Sequence, residues 1–308
     1  MGSEKNFDLC RKWMLRNARP LDIARWKYHF EDGDKENVLD ALRAYQNSDG
    51  GFGHGLEADC MNPESAPIQT WCATEILREI DFVDANSEMI KGILKYLESG
   101  KDYKDGYWLA EIPSNNAYPH APWWSYSDDV IDKWGYNPTI ALVGFILKFK
   151  EVDTELYRLA DQIALKAVEN FFNKRTINDQ HEISCFIRFC NYCREAGVTE
   201  KYNISEMEGN LREIVAELMC KDTEKWKTDY VCLPSNYVDS PQSIFYEDIK
   251  QLADYQNDFI LESMSEDGSF NVNWTWGSYP EEWPISKNWW KANQCIVNIK
   301  YLKAFGRL

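Results

Sequence analysis

The sequence predicts an all-α fold built from helical hairpins, and three observations lead to this prediction. Helices with one apolar stripe alternate along the chain with helices that are apolar nearly all round. Residues with strand propensity are sparse and occur in short loop pieces such as 270–274. A turn of Asp-Gly followed by an aromatic residue recurs. We therefore expect a single domain over residues 1–308 with about five or six helical hairpins.

The helices of the first kind carry apolar residues on one face only. Residues 87–97 show the pattern most clearly, and residues 37–45 and 205–218 repeat it. In the first of these segments the apolar residues recur at spacings of three and four: Met89, Ile90, Ile93, Leu94 and Leu97. A helix of this kind covers a core on one side, so we expect these segments in an outer layer.

The helices of the second kind have little polar surface. They are predicted at residues 138–149, 68–80 and 185–193, and because they are apolar nearly all round they must be buried. Pro67 and Pro138 suit the first turn of a helix. Four hydroxyl residues precede helical patterns and are predicted N-caps: Ser87, Thr154, Ser205 and Ser286.

The recurring turn has the sequence Asp-Gly-Gly-Phe at 49–52, Asp-Gly-Tyr-Trp at 105–108 and Asp-Gly-Ser-Phe at 267–270. Its glycines are separated by 56 and 162 residues, which indicates a supersecondary unit of about 54 residues with degenerate middle copies. Hairpins packed in sequence form an open solenoid or a closed ring. The buried inner helices favour a closed ring, because an open solenoid would leave one end of that set in water.

The charge and the aromatic content bound the function. The chain has 34 basic and 50 acidic residues, a net charge of -16. A surface this negative repels phosphate backbones and anionic membranes, so we predict no nucleic-acid partner. The chain also contains 13 Trp, 17 Tyr and 14 Phe. This content is typical of a large core, of an aromatic-lined cavity for a small molecule, or of both.

Targeting and cofactor signals are not found in the sequence. No apolar run reaches the length of a membrane-spanning helix, and the first ten residues have no secretory signal. Nine cysteines without framework spacing indicate reduced thiols in a cytoplasmic protein. Nucleotide-binding and zinc-protease motifs do not occur. We therefore predict no cofactor, no metal and no integral membrane segment.

The first candidate site is the loop from His54 to Cys60, between an outer and an inner helix. Glu57 and Asp59 are predicted catalytic residues, because a carboxyl group desolvated by aromatic side chains can act as a general acid. His54, and Trp71 on the following helix, are predicted to bind the substrate. The alternative is that the two carboxylates cap helices or pair with arginines.

The second candidate site is the segment 115–134. His120, held between two prolines, is predicted to act as a base, and Trp124 is predicted to bind the substrate. The alternative is an aromatic plug that covers the end of the ring.

The third candidate site is the segment 274–290, where five Trp occur with two acidic residues. Aromatic faces stabilise cations and stack on sugar rings, and paired carboxylates serve glycoside hydrolysis. The predicted substrate-binding residues are Trp276, Glu281, Glu282, Trp283, Trp289 and Trp290. The alternative is that these large residues seal the last hairpin.

Residues 45–53, Tyr-Gln-Asn-Ser-Asp-Gly-Gly-Phe-Gly, resemble the Gln-x-x-x-Gly-aromatic repeat of the terpenoid cyclase and protein prenyltransferase superfamily. Residues 62–65, followed by Thr70 and the segment 73–77, resemble a helix start of squalene–hopene-type cyclases. The resemblance implies an α/α toroid. The catalytic DxDD motif of class II cyclases is not found, and its nearest counterpart is the acidic pair Glu57 and Asp59.

Three hypotheses for the function follow. The first is an enzyme that acts on an isoprenoid-like small molecule by acid-initiated chemistry, with Glu57 or Asp59 as proton donor. The second is a carbohydrate-active hydrolase or lyase that uses paired carboxylates and Trp platforms. The third is a toroid that binds a ligand without catalysis.

Overall fold

The computed structural model describes residues 2–173 and 179–308, and in them the predicted all-α fold is confirmed. The sheet found in the described residues is a two-stranded antiparallel hairpin of β1 (Tyr103–Lys104) and β2 (Tyr107–Trp108). The helices are α1 (Gly2–Asn17), α2 (Pro20–Phe30), α3 (Lys35–Arg43), α4 (Pro67–Glu79), α5 (Glu88–Glu98), α6 (Val130–Trp134), α7 (Thr139–Phe149), α8 (Glu155–Asn173), α9 (Gln180–Glu195), α10 (Ile204–Leu218), α11 (Lys250–Ser263) and α12 (Trp283–Ala304).

The chain divides into two compact units. The first consists of Met1–Leu42 and Arg212–Leu308, and the second of Arg43–Leu211. Among the described residues of both units, no helix has the length and the apolar character that a membrane span requires.

The core of the second unit is built around α7. Every residue from Thr139 to Leu147 is buried, which confirms the prediction for this apolar helix. The helix packs against α4, α8 and α9. Gly144 lets α7 approach α9 closely, because a Cβ atom at this position would lie 2.9 Å from the ring of Tyr192. The predicted inner helices at 68–80 and 185–193 correspond to α4 and α9.

The helix α5 has the one-sided character expected of an outer helix. Its buried residues include all five predicted apolar positions: Met89, Ile90, Ile93, Leu94 and Leu97. Ser87 caps the helix by accepting a hydrogen bond from the N–H of Ile90 at 3.2 Å. Thr154 caps α8 in the same way, through the N–H of Tyr157. Both N-cap predictions are therefore confirmed.

Two local predictions were wrong. Ser205 and Ser286 lie inside α10 and α12 rather than before them. Pro284 occupies the first turn of α12, so this helix begins at Trp283, ahead of the serine. Residues 270–274 form no strand. Strand pairing occurs instead around Gly106, where the left-handed conformation of Asp105 and Gly106 closes the hairpin between β1 and β2.

The glycines of the three recurring turns share one backbone conformation. Gly50, Gly106 and Gly268 have φ values of 95°, 96° and 90°, a region that favours glycine. The aromatic residues that close the turns are buried: Phe52, Trp108 and Phe270. In the first two turns the N–H of that aromatic residue donates to a threonine at the start of an inner helix, Thr70 at 3.1 Å and Thr139 at 3.0 Å. In these two copies of the repeat, the turn is therefore hydrogen-bonded to the inner helix that follows it.

The glutamine of the first turn has a structural role as well. Gln46 Nε2 donates to the carbonyl oxygen of Gly50 at 2.9 Å and to that of Met89 on α5 at 3.2 Å. Gly50 itself lies against the backbone of Gly92, where no Cβ atom would fit. These contacts attach the turn to the outer helix α5.

The first unit is held together by its terminal helices. The helix α12 packs against α1, α2 and α11. Asp22 on α2 is fully buried and accepts hydrogen bonds from Arg19 at 2.8 Å and from Arg25 at 3.2 Å. Arg25 also donates to Asn293 on α12. Two arginines thus surround one carboxylate inside this unit.

Candidate functional site

The loop that carries Glu57 and Asp59 is anchored by one glutamine of α4. Gln69 is fully buried, and its Oε1 accepts the N–H of Leu56 at 2.8 Å. Its Nε2 donates to the carbonyl oxygens of Cys60 at 3.2 Å and Asn62 at 3.1 Å. The side chain therefore holds both arms of the loop, which explains the compact path of an irregular segment without secondary structure.

Both predicted acids on this loop are buried. Glu57 is 8% exposed and Asp59 is 2% exposed. The N–H of Asp59 donates to Oε2 of Glu57 at 2.9 Å, so the carboxylate of Glu57 is turned back on its own loop. Glu57 is thereby oriented by the backbone of the other acid, in a position that water reaches poorly.

The segment with His120 pairs with the acid loop. Cys60 and His120 form an antiparallel bridge. On either side of it, Met61 donates its N–H to the carbonyl of Pro119 at 2.9 Å, and Ala121 donates to that of Asp59 at 2.8 Å. The predicted catalytic residues Glu57, Asp59 and His120 therefore belong to one assembly, which we call the paired-loop site. It comprises residues 54–62 and 114–125.

Buried amides join the two halves of the paired-loop site. Asn62 Nδ2 donates to Asn115 Oδ1 and to Ser114 Oγ, both at 2.9 Å. Asn115 Nδ2 in turn donates to the carbonyl of Trp124 at 3.0 Å. Asn62 and Asn115 are fully buried. A continuous hydrogen-bond chain thus runs from the acid loop to the aromatic part of the second segment.

The hydrogen bonds of His120 determine its tautomer. Nδ1 lies 2.6 Å from the carbonyl oxygen of Tyr118, and Nε2 lies 2.9 Å from Oγ of Ser125. Because a carbonyl oxygen only accepts, Nδ1 carries the proton, and Nε2 can accept from the Ser125 hydroxyl. His120 is 6% exposed, so this ring is oriented within the site rather than displayed on the surface.

The cysteine of the acid loop is not activated. Burial raises the pKa of Cys60 to about 12, and the charges of Glu57 and Asp59 act in the same direction. The sulfur is therefore a neutral thiol at neutral pH, which excludes a thiolate nucleophile. His54 lies at the exposed end of the loop, where its Nε2 is 2.9 Å from Oδ1 of Asn47. Within residues 2–173 and 179–308, no three His, Cys, Asp or Glu side chains converge as a metal site.

Glu111 is a candidate residue that the sequence analysis missed. It is fully buried, and its Oε1 accepts hydrogen bonds from Nε1 of Trp134 at 2.6 Å and from Nζ of Lys133. Its Oε2 is buried and has no hydrogen-bond partner in the described part of the chain. An acid inside the apolar run from Trp108 to Ile112 is the signal that could have identified it.

Aromatic rings adjoin this carboxylate. Trp124 is buried and stacks on Trp134, with ring centroids 4.9 Å apart and planes inclined by 11°. The indole N–H groups of Trp124 and Trp71 are buried and have no acceptor among the described residues. Two of the predicted substrate-binding tryptophans thus present donors that no protein group satisfies, which is costly unless another molecule accepts from them.

The tryptophans of the segment 274–290 belong to the first unit. Trp276 is buried and contacts Trp283 at a centroid distance of 5.7 Å. Trp290 packs edge to face on Trp274 at 5.2 Å. Both of these last two indoles have a buried N–H without an acceptor in the described chain. The segment therefore contains two pairs of packed indoles, and we call its five tryptophans the Trp wall (residues 274, 276, 283, 289 and 290).

The acidic residues of the same segment lie at a helix start. Glu281 is exposed, and Glu282 occupies the position just before the first residue of α12. Carboxylates at this place are stabilised by the helix dipole. Trp289, about two helical turns further on, lies under the guanidinium of Arg19 at 4.9 Å from the ring centroid. Its ring already holds a protein cation.

Comparisons with known proteins add no relative. The chain matches no protein-family model, and no curated protein and no solved structure matches it significantly. Function is therefore inferred from the residues and their geometry.

Proposed function

We propose that the protein is an enzyme that acts on a small molecule by acid–base chemistry at the paired-loop site. The observation that carries this proposal is the backbone pairing of Cys60 with His120. It brings two nearly buried carboxyl groups, Glu57 and Asp59, into one assembly with a histidine of defined tautomer. Ionisable groups held away from water in this way are typical of acid–base catalysts.

In the leading version of the proposal the substrate is isoprenoid-like and the chain forms one α/α toroid. Glu57 or Asp59, in its protonated form, transfers its proton to an alkene carbon, and the other alkene carbon becomes cationic. Aromatic faces such as that of Trp124 stabilise this cation, and a later loss of a proton to a base restores the balance. The resemblance of residues 45–53 to the cyclase repeat supports this version, as do the matching φ values of the three turn glycines.

A second candidate is a carbohydrate-active hydrolase or lyase, which the position of Glu111 favours. This mechanism needs two carboxyl groups, separated by about 5–5.5 Å or 6.5–9.5 Å across the scissile bond. Glu111 supplies a further buried carboxylate beside Trp134, and Trp124 links it to the amide chain of the paired-loop site. Hydroxyl groups of a sugar would satisfy both the free Oε2 of Glu111 and the indole N–H of Trp124.

A thermal-shift panel with two arms tests the proposal. One arm contains prenyl diphosphates and polyprenyl alcohols, and the other contains oligosaccharides and uronates. A ligand present at 100 times its dissociation constant adds about 2.7 kcal/mol to the stability, so its arm should show a shift of a few degrees. The ligands that bind are then incubated with the enzyme, and products are sought by mass spectrometry.

The acid role is tested with Glu57→Gln, Asp59→Asn and the control Asp128→Asn. Asp128 is exposed, so its amide should leave binding and turnover unchanged. We expect at least one of the other two variants to bind the ligand and to lose turnover by a factor of about 10² or more. Full turnover in both amide variants would show that neither carboxyl group transfers the proton. Ligand binding without any product would favour the third hypothesis, a toroid without catalysis.

A further inference from the structure

The loop between α10 and α11 brings two cysteines together. The N–H of Cys220 donates to the carbonyl oxygen of Cys232 at 3.0 Å. Disulfides span roughly 4.4–6.8 Å between Cα atoms, a separation that residues joined by a backbone hydrogen bond can have. The backbone of this loop therefore holds the two cysteines next to each other.

The two thiols differ in their access to solvent. Cys220 is partly exposed, and its Sγ lies 3.4 Å from the carbonyl oxygen of Asp222. Cys232 is 7% exposed. Burial raises the pKa of Cys232 to about 12, although a hydrogen bond with Tyr237 acts in the opposite direction. An oxidant from solvent therefore reaches Cys220 first, with Cys232 beside it as the second thiol.

The loop that these cysteines close rests on the Trp wall. Trp226, between them in sequence, is buried against Tyr255 and Phe259 of α11 and donates its Nε1–H to the carbonyl of Cys220. Tyr230 packs edge to face on Trp274 at 5.4 Å. A covalent link across the base of the loop would restrain Tyr230 against the aromatic segment that the sequence marks as substrate-binding.

We propose that Cys220 and Cys232 are a redox-modification site that reacts with hydrogen peroxide and forms a reversible disulfide. The Cys220 sulfur attacks one peroxide oxygen; the O–O bond breaks, an S–O bond forms, and water leaves. The Cys232 sulfur then attacks the sulfenic acid of Cys220; the S–O bond breaks, the S–S bond forms, and a second water leaves. Two thiols lose two electrons in total, and one peroxide gains them.

Another thiol pair provides an internal comparison. Cys10 on α1 and Cys295 on α12 hydrogen-bond to each other, but both are fully buried in helices. A peroxide that diffuses from solvent should leave this pair reduced. If only the partly exposed pair is oxidised, its reactivity depends on solvent access and not on the proximity of two sulfurs alone.

Peptide mapping of the full chain tests the proposal directly. The folded protein is treated with hydrogen peroxide, remaining thiols are alkylated, and trypsin is added without a reductant. We expect peptide 213–221 to be joined to peptide 228–250, with a mass about 2 Da below the sum of the two. Each of these peptides contains one cysteine. Dithiothreitol should separate them, and the oxidised protein should melt a few degrees higher than the reduced one.

Cys220→Ser and Cys232→Ser should each abolish the linked peptide and the rise in Tm, whereas Cys10→Ser should leave both unchanged. The peptide map of the chain without substitutions tests the proposal by itself, so the test remains valid even if a cysteine variant fails to fold. The proposal fails if the treated chain contains both thiols unlinked. It also fails if Cys220 is converted to sulfinic acid without a disulfide, or if Cys10 is linked to Cys295 instead. None of these readouts depends on the proposed enzyme activity.

Discussion

Asp59 and Ala121 are joined by a backbone hydrogen bond, in which the N–H of Ala121 lies 2.8 Å from the carbonyl oxygen of Asp59. This bond places one of the predicted proton donors directly beside the segment of His120. Because the bond uses backbone atoms, it positions Asp59 without occupying its carboxyl group. The pairing therefore leaves the side-chain chemistry of the acid loop to other partners.

Replacing Gln69 by Leu should destabilise the protein by about 3 kcal/mol, because the loop groups of Leu56, Cys60 and Asn62 would lose the buried side chain that satisfies them. Chemical denaturation measures the free energy of unfolding. Gln251→Leu is the matched control, since Gln251 is exposed on α11. Equal stability of the two variants would show that Gln69 does not anchor the acid loop.

Alanine substitutions at the three turn glycines should differ in their cost. Gly106→Ala should cost about 1–2 kcal/mol, because φ is 96° but no other atom within 4 Å is found in the described chain. Gly50→Ala and Gly268→Ala should cost more than about 3 kcal/mol, because the added Cβ would also collide with the backbone of Gly92 or Leu9. Thermal denaturation of the three variants makes the comparison. A cost at Gly106 as large as at the other two would contradict this explanation.

Lys133→Met should destabilise the protein more than Glu111→Gln does. Removing the lysine leaves the fully buried carboxylate of Glu111 with Trp134 as its remaining donor, at a cost of about 2 kcal/mol or more. In Glu111→Gln the buried side chain is a neutral amide, so no buried charge is left without its partner and the loss of stability should be smaller. In the double variant much of the loss should be recovered, and a double-mutant cycle measures the coupling. Additive losses would mean that the two groups do not stabilise each other.

The stability of the first unit should depend on pH through Glu31. Burial raises the pKa of Glu31. Hydrogen bonds from Arg11 at 2.7 Å and Trp26 at 2.8 Å lower it, and together with the positive charges nearby they outweigh burial, so the pKa is below its usual value. Because the pKa of Glu31 is lower in the folded state, the ionised carboxylate stabilises the fold fully above the unfolded-state pKa, about 4.3. This stabilisation is lost as the pH falls through the folded-state pKa.

Glu31→Gln should therefore cost up to about 1 kcal/mol at pH 7, since Arg11 is well exposed and solvent screens the pair. The difference from the unsubstituted chain should shrink as the pH falls below about 4.3, the usual pKa of a glutamate, and disappear below the lowered pKa of the folded state. Urea denaturation at several pH values measures it, and the exposed Glu151→Gln serves as control. A cost that does not change with pH would assign the effect to packing rather than to ionisation.

Local features could be predicted wherever all the residues that cause them lie within one short segment. The stripe of α5 and its cap at Ser87 depend on residues within a few turns of each other. The left-handed glycines of the recurring turn are also a local requirement, because only glycine adopts that φ without strain. Ser205 was misassigned as a cap because propensity alone does not decide between neighbouring helix starts.

The candidate site was predictable only in part. Its acids and His120 were recognisable as residue types, since buried carboxyl groups and histidines beside tryptophans carry acid–base chemistry. Glu111 and Gln69 were missed, because a single Glu or Gln in an apolar segment does not reveal which partner it meets. Lys133 was missed for the same reason.

By itself the sequence determined the all-α class, the turn glycines, the buried inner helices and the residue types of the site. Only the tertiary structure decided that Cys60 pairs with His120, that Glu111 meets Lys133, and that Cys220 adjoins Cys232. The physical reason is the range of the interactions. Periodicity and backbone conformation depend on neighbours in the chain, whereas these pairings join distant segments, and the packing of the helices determines which segments meet.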